Sequence, residues 1–238
     1  MSTLYLIRHG QAGTRQAYDS LSDLGHLQAR RAGEYLASQR VRFRAAFSGT
    51  LRRQRETAEE VAGQYRACGL EFPVIDCEAN WNEFDIDAVY RDMVPALAAG
   101  DPQFRRDYDD LLRQAADEDH DVHHRWSPCD AAIVSAWIEG RFPSGTESWQ
   151  AFIRRVERTL DTLPRCGEDE AVAVFTSAVP IAIWVAMALG VTNGRIMQVA
   201  AVMYNSAITT FRLREGELAL FSFNGVPHLP ADDLRSFR

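Results

Sequence analysis

The chain begins with the stretch Leu4-Tyr5-Leu6-Ile7-Arg8-His9-Gly10-Gln11, in which an unbroken apolar run leads directly into charged and polar residues. Such a run is typical of a strand that is buried on both faces of a sheet. Arg8 and His9 then lie at the carboxyl end of the strand, the edge where open α/β sheets bind ligands. Gly10 is expected to let the backbone turn sharply after the strand. Arg8 and His9 are therefore candidate functional residues, although an isolated Arg-His pair more often only ends a strand.

Strands and helices alternate along most of the chain. The pattern predicts strands at 3–8, 44–48, 73–77 and 171–176, and helices at about 22–38, 51–66, 146–163 and 179–190. This alternation predicts an α/β fold, a three-layer α/β/α sandwich with a mostly parallel central sheet. Two last strands, 206–213 and 217–223, are separated by Arg214-Glu215-Gly216 and are predicted to form a β-hairpin at the sheet edge.

The composition is that of one globular domain, 1–238. The 238 residues, 46% of them hydrophobic and 25% charged, are enough to bury a substantial core. The net charge of −7 argues against a nucleic-acid binder, which needs a basic face. All 26 residues counted as Lys or Arg are arginine, so only its position can single out an arginine as functional.

Cysteine usage and the apolar segments predict a cytoplasmic protein. The cysteines lack the paired spacing of a zinc site or of a thiol redox motif, and we expect them to be reduced: Cys68, Cys77, Cys129 and Cys166. The N-terminus does not have the pattern of a signal peptide. Residues 171–194 carry no charge and are numerous enough to cross a bilayer, but polar residues and Pro180 interrupt them. We therefore predict a buried strand, turn and helix there, and no membrane partner.

Four further motifs accompany the opening stretch in a consistent order. They are 21–29 (LSDLGHLQA), 48–58 (SGTLRRQRETA), 82–85 (NEFD) and 172–181 (VAVFTSAVPI). Together with Arg8-His9-Gly10, they resemble the histidine phosphatase superfamily, which includes the cofactor-dependent phosphoglycerate mutases, over nearly the whole chain. The resemblance implies that residues 84–145, rich in Asp, Arg and aromatics, form an inserted helical cap that overhangs the catalytic pocket and sets substrate choice.

The resemblance gives His9 and two arginines a role in phosphoryl transfer. It implies that His9 attacks phosphorus as a neutral imidazole and forms a phosphohistidine, with Arg8 beside it. Cations are needed there because the transferred group spreads negative charge over three oxygens. Arg52, Arg53 and Arg55 lie in one helical turn and do not all point the same way. Arg53 matches the family motif, and the other two are expected to be solvated.

Glu83 occupies the position of the family's acid/base carboxylate. Its neighbours Trp81 and Phe84 are bulky and apolar, and we expect them to raise its pKa into the range of a general acid. A helix-capping or surface role is the alternative. Asp85 and Asp87 are close enough in sequence to be mistaken for the acid.

Ser177 departs from the family pattern. Most members carry a second histidine there, followed by two glycines where this chain has Ala178 and Val179. Ser177 lies between a strand and a helix, so its hydroxyl is expected to cap the helix while the backbone at Ala178 faces an anion. The predicted phosphate-binding residues are thus Arg8, Arg53, Ser177 and Ala178. Loss of one donor costs about 10²–10³ in turnover elsewhere, so Ser177→His is expected to raise turnover about tenfold.

A second group of histidines lies in the predicted cap. His120, His123 and His124 stand among acidic residues 117–121, an arrangement that suggests a metal site but is more typical of a solvated segment. We predict no metal and no cofactor. His228 follows the last strand and is expected to pack near the sheet end, without a catalytic role.

These observations favour a phosphatase-like enzyme that hydrolyses a small phosphomonoester through a phosphohistidine on His9, at a reduced rate if Ser177 is the weaker donor. The alternative is a catalytically silent protein that binds a phosphorylated ligand. Mutase-type transfer is less favoured, because a mutase must retain the phosphoryl group in a strongly cationic pocket. The predicted partner is a small phosphorylated substrate or inorganic phosphate. The sequence favours no particular oligomeric state.

Overall fold

The computed structural model describes residues 2–117, 120–164, 167, 170–214 and 217–237. The described chain divides into two compact units, the first formed by Met1–Glu83 with Val156–Arg238 and the second by Phe84–Arg155. The residues Glu215 and Gly216 of the predicted hairpin turn lie outside the described residues, as does Cys166.

The first unit contains a six-stranded mixed sheet. Its strands are β1 (Ser2–Arg8), β2 (Phe43–Ser48), β3 (Ile75–Cys77), β4 (Ala171–Thr176), β5 (Ile208–Arg214) and β6 (Glu217–Gly225). They are arranged in the order β3-β2-β4-β1-β5-β6. The first four pair in parallel, whereas β5 is antiparallel to both β1 and β6. The mostly parallel sheet with an antiparallel hairpin at its edge is therefore confirmed.

Helices flank this sheet and complete the predicted three-layer α/β fold. The helices of the chain are α1 (Asp23–Ser38), α2 (Arg52–Ala67), α3 (Ile86–Gly100), α4 (Pro102–Gln114), α5 (Pro128–Ile138), α6 (Trp149–Glu157), α7 (Ala178–Leu189) and α8 (Ile196–Ala201). Apolar residues of α1 and α2 pack with residues of β1, β2 and β4 in one core cluster. Ser22 caps α1 by accepting a hydrogen bond from the Gly25 N–H at 3.0 Å, as its position predicts.

Strand β1 lies in the middle of the buried sheet. Leu4, Leu6 and Ile7 are fully buried, with β4 on one side and β5 on the other. The uncharged segment 171–194 forms β4 and α7, so its apolar side chains belong to the core of this unit. In the part of the chain that the structure describes, no helix has the length and apolar character needed to cross a membrane.

Gly10 is required for a reason other than the one the sequence suggested. Its φ does not lie in the left-handed region, so the expected sharp turn is not what calls for glycine. Instead, the backbone after β1 passes directly against the start of α1. A Cβ added at Gly10 would lie 2.3 Å from the Gly25 carbonyl oxygen, and one added at Gly25 would lie 2.1 Å from the Gln11 carbonyl oxygen. Two glycines thus allow α1 to approach the end of β1.

The second unit is helical and has an aromatic core. Phe84, Trp137, Trp149 and Phe152 pack together with ring centroids 4.7–6.4 Å apart. The insertion is predicted to end at about residue 145, whereas this unit ends at Arg155, because the start of α6 supplies two of those rings. That the unit covers a catalytic pocket stays a prediction.

The histidine group of this unit is held by its own backbone. His123 is fully buried, and its Nε2 lies 2.8 Å from the Asp117 carbonyl oxygen, so the expectation of a solvated segment is wrong for this residue. The His120 Nδ1 accepts the Val122 N–H at 3.1 Å. Within the described ranges, no group of three or more His, Cys, Asp or Glu side chains is placed to hold a metal ion. Glu118, Asp119 and the side chain of His124 are not among the described residues and side chains. The predicted absence of a metal stays a prediction.

The three described cysteines are free thiols. Cys68 and Cys77 are exposed, whereas Cys129 is buried.

The contact between β1 and α1 predicts a large effect of one methyl group. Gly10→Ala places a Cβ against backbone that has no room to move, and we expect the free energy of unfolding to fall by about 1–3 kcal/mol, the usual cost of overpacking. Gly63→Ala in α2 is the matched control, because its Cβ would meet only Arg66 Nη2 at 3.9 Å. The control should gain up to about 1 kcal/mol from helix propensity. Denaturant unfolding measures both, and equal effects would contradict the steric explanation.

Candidate active site

His9 lies at the carboxyl end of β1, where its main chain is held on two sides. Its N–H donates to the Thr176 carbonyl at 2.9 Å, and its own carbonyl accepts from the Ser206 N–H at 3.1 Å and from Asn205 Nδ2 at 3.4 Å. The residue is 2% exposed. The end of β4 and the segment before β5 therefore fix the position of the His9 main chain.

The contacts of the His9 ring define its tautomer. Nδ1 lies 2.7 Å from the Gly10 carbonyl oxygen, which only accepts, so the proton of the neutral ring is on Nδ1. Nε2 then carries a lone pair. Arg53 Nε lies 3.3 Å from Nε2 and donates to it. The ring therefore presents an unprotonated nitrogen to a guanidinium group.

The surroundings of His9 keep its ring neutral. Burial lowers the pKa of His9 well below its usual value, and the positive charges of Arg53 and Arg8 lower it further. The hydrogen bond to Gly10 has the opposite, smaller effect. A buried imidazole next to two guanidinium groups is thus unprotonated at neutral pH.

Arg8 is the last residue of β1 and is 5% exposed. Its Nη1 donates to the Met203 carbonyl, and no described residue accepts a hydrogen bond from its Nε. Burial lowers its pKa to about 10, an effect to which Arg53 adds and which Tyr18 and Glu83 oppose. Arg8 therefore stays charged at neutral pH, and its Nε–H is buried without an acceptor among the described residues.

The predicted choice among the three arginines of α2 agrees with their burial. Arg53 is buried at 5% exposure and reaches His9, whereas Arg52 and Arg55 are exposed. Thr57, one turn further along α2, accepts the Gly10 N–H at 3.1 Å and donates to the Arg53 carbonyl at 2.7 Å. This hydroxyl connects the loop after His9 directly to the helix that carries Arg53.

Two residues of the loop before α1 contact Arg53 and were not expected from the sequence. Asp19 Oδ1 lies 3.1 Å from Arg53 Nη1, and both Asp19 oxygens lie 3.2 Å from the backbone nitrogen of Arg52. The Tyr18 ring stacks on Arg53, with its centroid 4.8 Å from the guanidinium carbon. The sequence offered one indication of these contacts, which is that the loop follows β1 and so begins at the same sheet edge as His9. The carboxylate of Asp19 therefore already pairs with the arginine that is predicted to bind phosphate.

Glu83 reaches the N-terminus of α7. The residue is partly buried, and its Oε2 accepts the Val179 N–H at 3.1 Å, within the first turn of the helix. The preceding segment fixes this position, since the Trp81 carbonyl accepts from Thr176 Oγ1 and, at 3.4 Å, from Gln54 Nε2. The negative charge of Glu83 raises the pKa of Arg8 and so opposes the effect of burial.

The expected cap of α7 by Ser177 is wrong. Ser177 has the backbone conformation of an N-cap residue, yet within the described structure its side chain makes no capping hydrogen bond. Its Oγ instead accepts from Gln54 Nε2 at 2.8 Å. The Glu83 carboxylate takes one of the first N–H groups of the helix, so a carboxylate of the protein lies where the sequence predicted a bound anion. Ala178 is the partly buried first residue of α7.

His228 supports the main chain behind His9. Its Nε2 lies 2.8 Å from Ser206 Oγ, and the Ser206 N–H is bonded to the His9 carbonyl. No described residue pairs with its Nδ1, and burial lowers its pKa to about 4. His228 is therefore a buried neutral residue next to the site, consistent with the expectation that it packs near the sheet end.

Comparison with known proteins identifies the family. The model of the histidine phosphatase superfamily, branch 1, matches residues 4–135 and 118–225, which together span most of the chain. The chain belongs to the histidine phosphatase superfamily. No curated protein matches the chain by sequence.

Solved structures share the fold of this histidine phosphatase family member at low identity. YhfR from Bacillus stearothermophilus has a TM-score of 0.66 and 19% identity, over 96% of this chain and 100% of that one. A mycobacterial glucosyl-3-phosphoglycerate phosphatase, solved with inorganic phosphate, gives 0.62 and 19% over 96% and 99%. A mutant phosphoserine phosphatase from Entamoeba histolytica, in complex with phosphoserine, gives 0.58 and 18% over 96% and 100%.

The contact between Asp19 and Arg53 predicts competition with anions. Asp19→Asn removes the carboxylate charge, and we expect inorganic phosphate to bind about two- to fivefold more tightly, as fits an ion pair with one exposed partner. Asp23→Asn is the matched control, because Asp23 is exposed in the first turn of α1 and changes the net charge equally. Calorimetric titration measures both. Equal tightening in the two variants would show a general charge effect instead of competition at Arg53.

Burial of His228 predicts a loss of stability in acid. Its folded pKa, about 4, lies below the unfolded value of 6.5, so the unfolded state takes up the proton first as the pH falls. The contribution of His228 to the free energy of unfolding is fully present above about pH 6.5. It should decrease by about 2–3 kcal/mol by pH 4.5. His228→Gln removes this titration, so its unfolding free energy should fall less than that of the wild type between pH 7 and 4.5. Parallel curves over this range would show that His228 does not titrate as its burial requires.

Proposed function

We propose that this histidine phosphatase family member is a phosphomonoesterase that transfers the phosphoryl group of a small ester to His9 and then to water. One observation carries the proposal: His9 keeps its proton on Nδ1 and offers the Nε2 lone pair beside the Arg53 guanidinium. A neutral imidazole held in one orientation is suited to nucleophilic attack. Nearby guanidinium groups are suited to a phosphoryl group whose oxygens carry the charge.

In the first step, the His9 Nε2 lone pair forms a bond to phosphorus while the bond from phosphorus to the ester oxygen breaks. Glu83 takes up a proton from solvent when the negatively charged ester binds beside it, and it gives that proton to the leaving oxygen. The phosphorylated ring carries a positive charge, which the Gly10 carbonyl stabilises through Nδ1–H. Arg8 and Arg53 bind the phosphoryl oxygens, and Arg53 exchanges its hydrogen bond to Nε2 for one to an oxygen of the ester.

In the second step, water attacks phosphorus and the bond between phosphorus and Nε2 breaks. The Glu83 carboxylate now accepts a proton from the water, so the acid of the first step is restored and inorganic phosphate leaves. His9 returns to its neutral form with the proton on Nδ1. Each turnover consumes one ester and one water and needs no redox partner.

A catalytically silent protein that binds a phosphorylated ligand is the second candidate. It is favoured by one observation, the hydrogen bond between Ser177 and Gln54 at the position where a second histidine is expected. A neutral pair retains a phosphoryl group less well than an imidazolium, which also disfavours mutase-type transfer. The two candidates differ in whether His9 ever becomes covalently modified.

The proposal predicts that His9 is labelled and is essential for turnover. Hydrolysis of p-nitrophenyl phosphate should fall by at least about 10³-fold in His9→Ala, since no other group replaces the nucleophile. A rapid quench under alkaline conditions, followed by mass spectrometry of the peptide containing His9, should show one added phosphoryl group in the wild type. His26→Ala is the matched control, because His26 lies on α1 and pairs with Glu60.

Two results would contradict the proposal. Turnover that survives His9→Ala would place the nucleophile elsewhere. Absence of turnover and of label in the wild type, together with phosphate binding that His9→Ala weakens, would support the silent binding protein.

A further inference from the structure

Gln54 is a buried polar residue that the proposed reaction does not yet use. It lies in the first turn of α2, next to Arg53, and its side chain is fully buried. Its Nε2 donates to Ser177 Oγ at 2.8 Å, and no described residue donates to its Oε1. Burying a carboxamide with an unsatisfied oxygen costs stability, and such a group is often retained for a function.

The hydrogen bond from Gln54 determines where the Ser177 proton can go. A serine hydroxyl has one proton to donate and two lone pairs to accept with. Because Gln54 approaches Oγ with an N–H, it occupies a lone pair and the Ser177 proton must point away from the carboxamide. Among the described residues, no acceptor for that proton is found, and the capping bond to α7 is not made.

The sheet register places Ser177 beside the nucleophile. Arg8 pairs with Thr176 in the parallel ladder, so the next residues, His9 and Ser177, leave the sheet side by side. The N–H of Val179, two residues further on, is bonded to the Glu83 carboxylate. Ser177 therefore lies between the nucleophile and the acid along the same edge of the sheet.

We propose that Gln54 and Ser177 form one neutral donor unit that replaces the second histidine of the family. Ser177 donates its hydroxyl proton to a phosphoryl oxygen at His9, and Gln54 is the positioning residue that directs that proton. The inference rests on the proposed function, since it names two residues of the same site. A neutral donor has no proton to gain or lose near neutral pH, so this part of the site does not titrate.

The proposed pair also makes the two positions depend on each other. Gln54 fills the space in front of Ser177 with a carboxamide only 2.8 Å from its Oγ. An imidazole at position 177 is larger than the hydroxyl and meets that carboxamide. Ser177→His alone is therefore expected to lower turnover, in contrast to the gain expected from the sequence, unless position 54 is shortened as well.

A double-mutant cycle tests the unit. We expect Gln54→Met and Ser177→Ala each to lower kcat/KM for p-nitrophenyl phosphate about tenfold, the effect of one neutral hydrogen bond. The double variant should be no slower than Ser177→Ala, because Gln54 acts only through Ser177. The same cycle on the dissociation constant of orthovanadate gives a second readout that does not require turnover.

Gln28→Met is the matched control for the loss of a buried carboxamide. Gln28 is fully buried and its amide donates to the Leu234 carbonyl at 2.8 Å, so stability should fall as it does for Gln54→Met. Its effect on vanadate binding should be additive with that of Ser177→Ala. Additive effects of Gln54→Met and Ser177→Ala on both kcat/KM and vanadate binding would overturn the inference and leave Gln54 a packing residue.

Exchange of the donor gives the complementary test. Gln54→Ala with Ser177→His should recover kcat/KM at least tenfold over Ser177→His alone, and should add the titration of an imidazole to the pH profile of the wild type. Ser177→His alone at or above the wild-type rate would contradict the proposed occupancy of that space.

The outcomes separate this inference from the proposed function. If His9 is labelled but the effects of Gln54→Met and Ser177→Ala are additive, the phosphatase activity is supported and the donor unit is rejected. If His9 is not labelled and there is no turnover, but the two substitutions are coupled in vanadate binding, the donor unit is supported and the phosphatase activity is rejected.

Discussion

The hydrogen bond between His9 Nδ1 and the Gly10 carbonyl oxygen is the contact on which the rest of the site depends. It uses the one proton of the neutral ring on the side away from Arg53, and so leaves Nε2 available. The Gly10 residue that supplies this carbonyl also passes directly against the start of α1, a close approach that glycines 10 and 25 allow. The carbonyl that fixes the His9 tautomer therefore belongs to a tightly packed segment of the backbone.

Burial and charge act in the same direction on the pKa of His9. Two guanidinium groups next to an imidazole would repel its proton even in water, and burial of all three strengthens the effect. The arrangement has a cost, because Arg8 and Arg53 are like charges placed close together. Carboxylates offset it, with Asp19 on Arg53 and Glu83 near Arg8. The protein itself therefore places negative charge beside the two arginines that are predicted to bind phosphate.

The sequence predicts the parts of the fold that depend on local patterns. The apolar runs give β1 and β4 to within a residue, and the family motif singles out Arg53 from Arg52 and Arg55. The contacts of Ser177 could not be predicted in this way. Its hydroxyl bonds to Gln54, which lies 123 positions earlier in the chain, instead of capping α7. The contact of Asp19 with Arg53 was missed for a similar reason. An acidic residue in a polar loop is not part of a periodic pattern from which its partner could be predicted.

The candidate site lies within one of the two units of the chain. Every side chain described in the site belongs to the unit formed by residues 1–83 and 156–238, and the inserted unit begins directly after Glu83. The candidate site residues and the helical insertion are therefore separate units of the chain, and the junction in the sequence lies directly after Glu83. The contacts that hold His9, Arg53 and Ser177 are made wholly within the first unit.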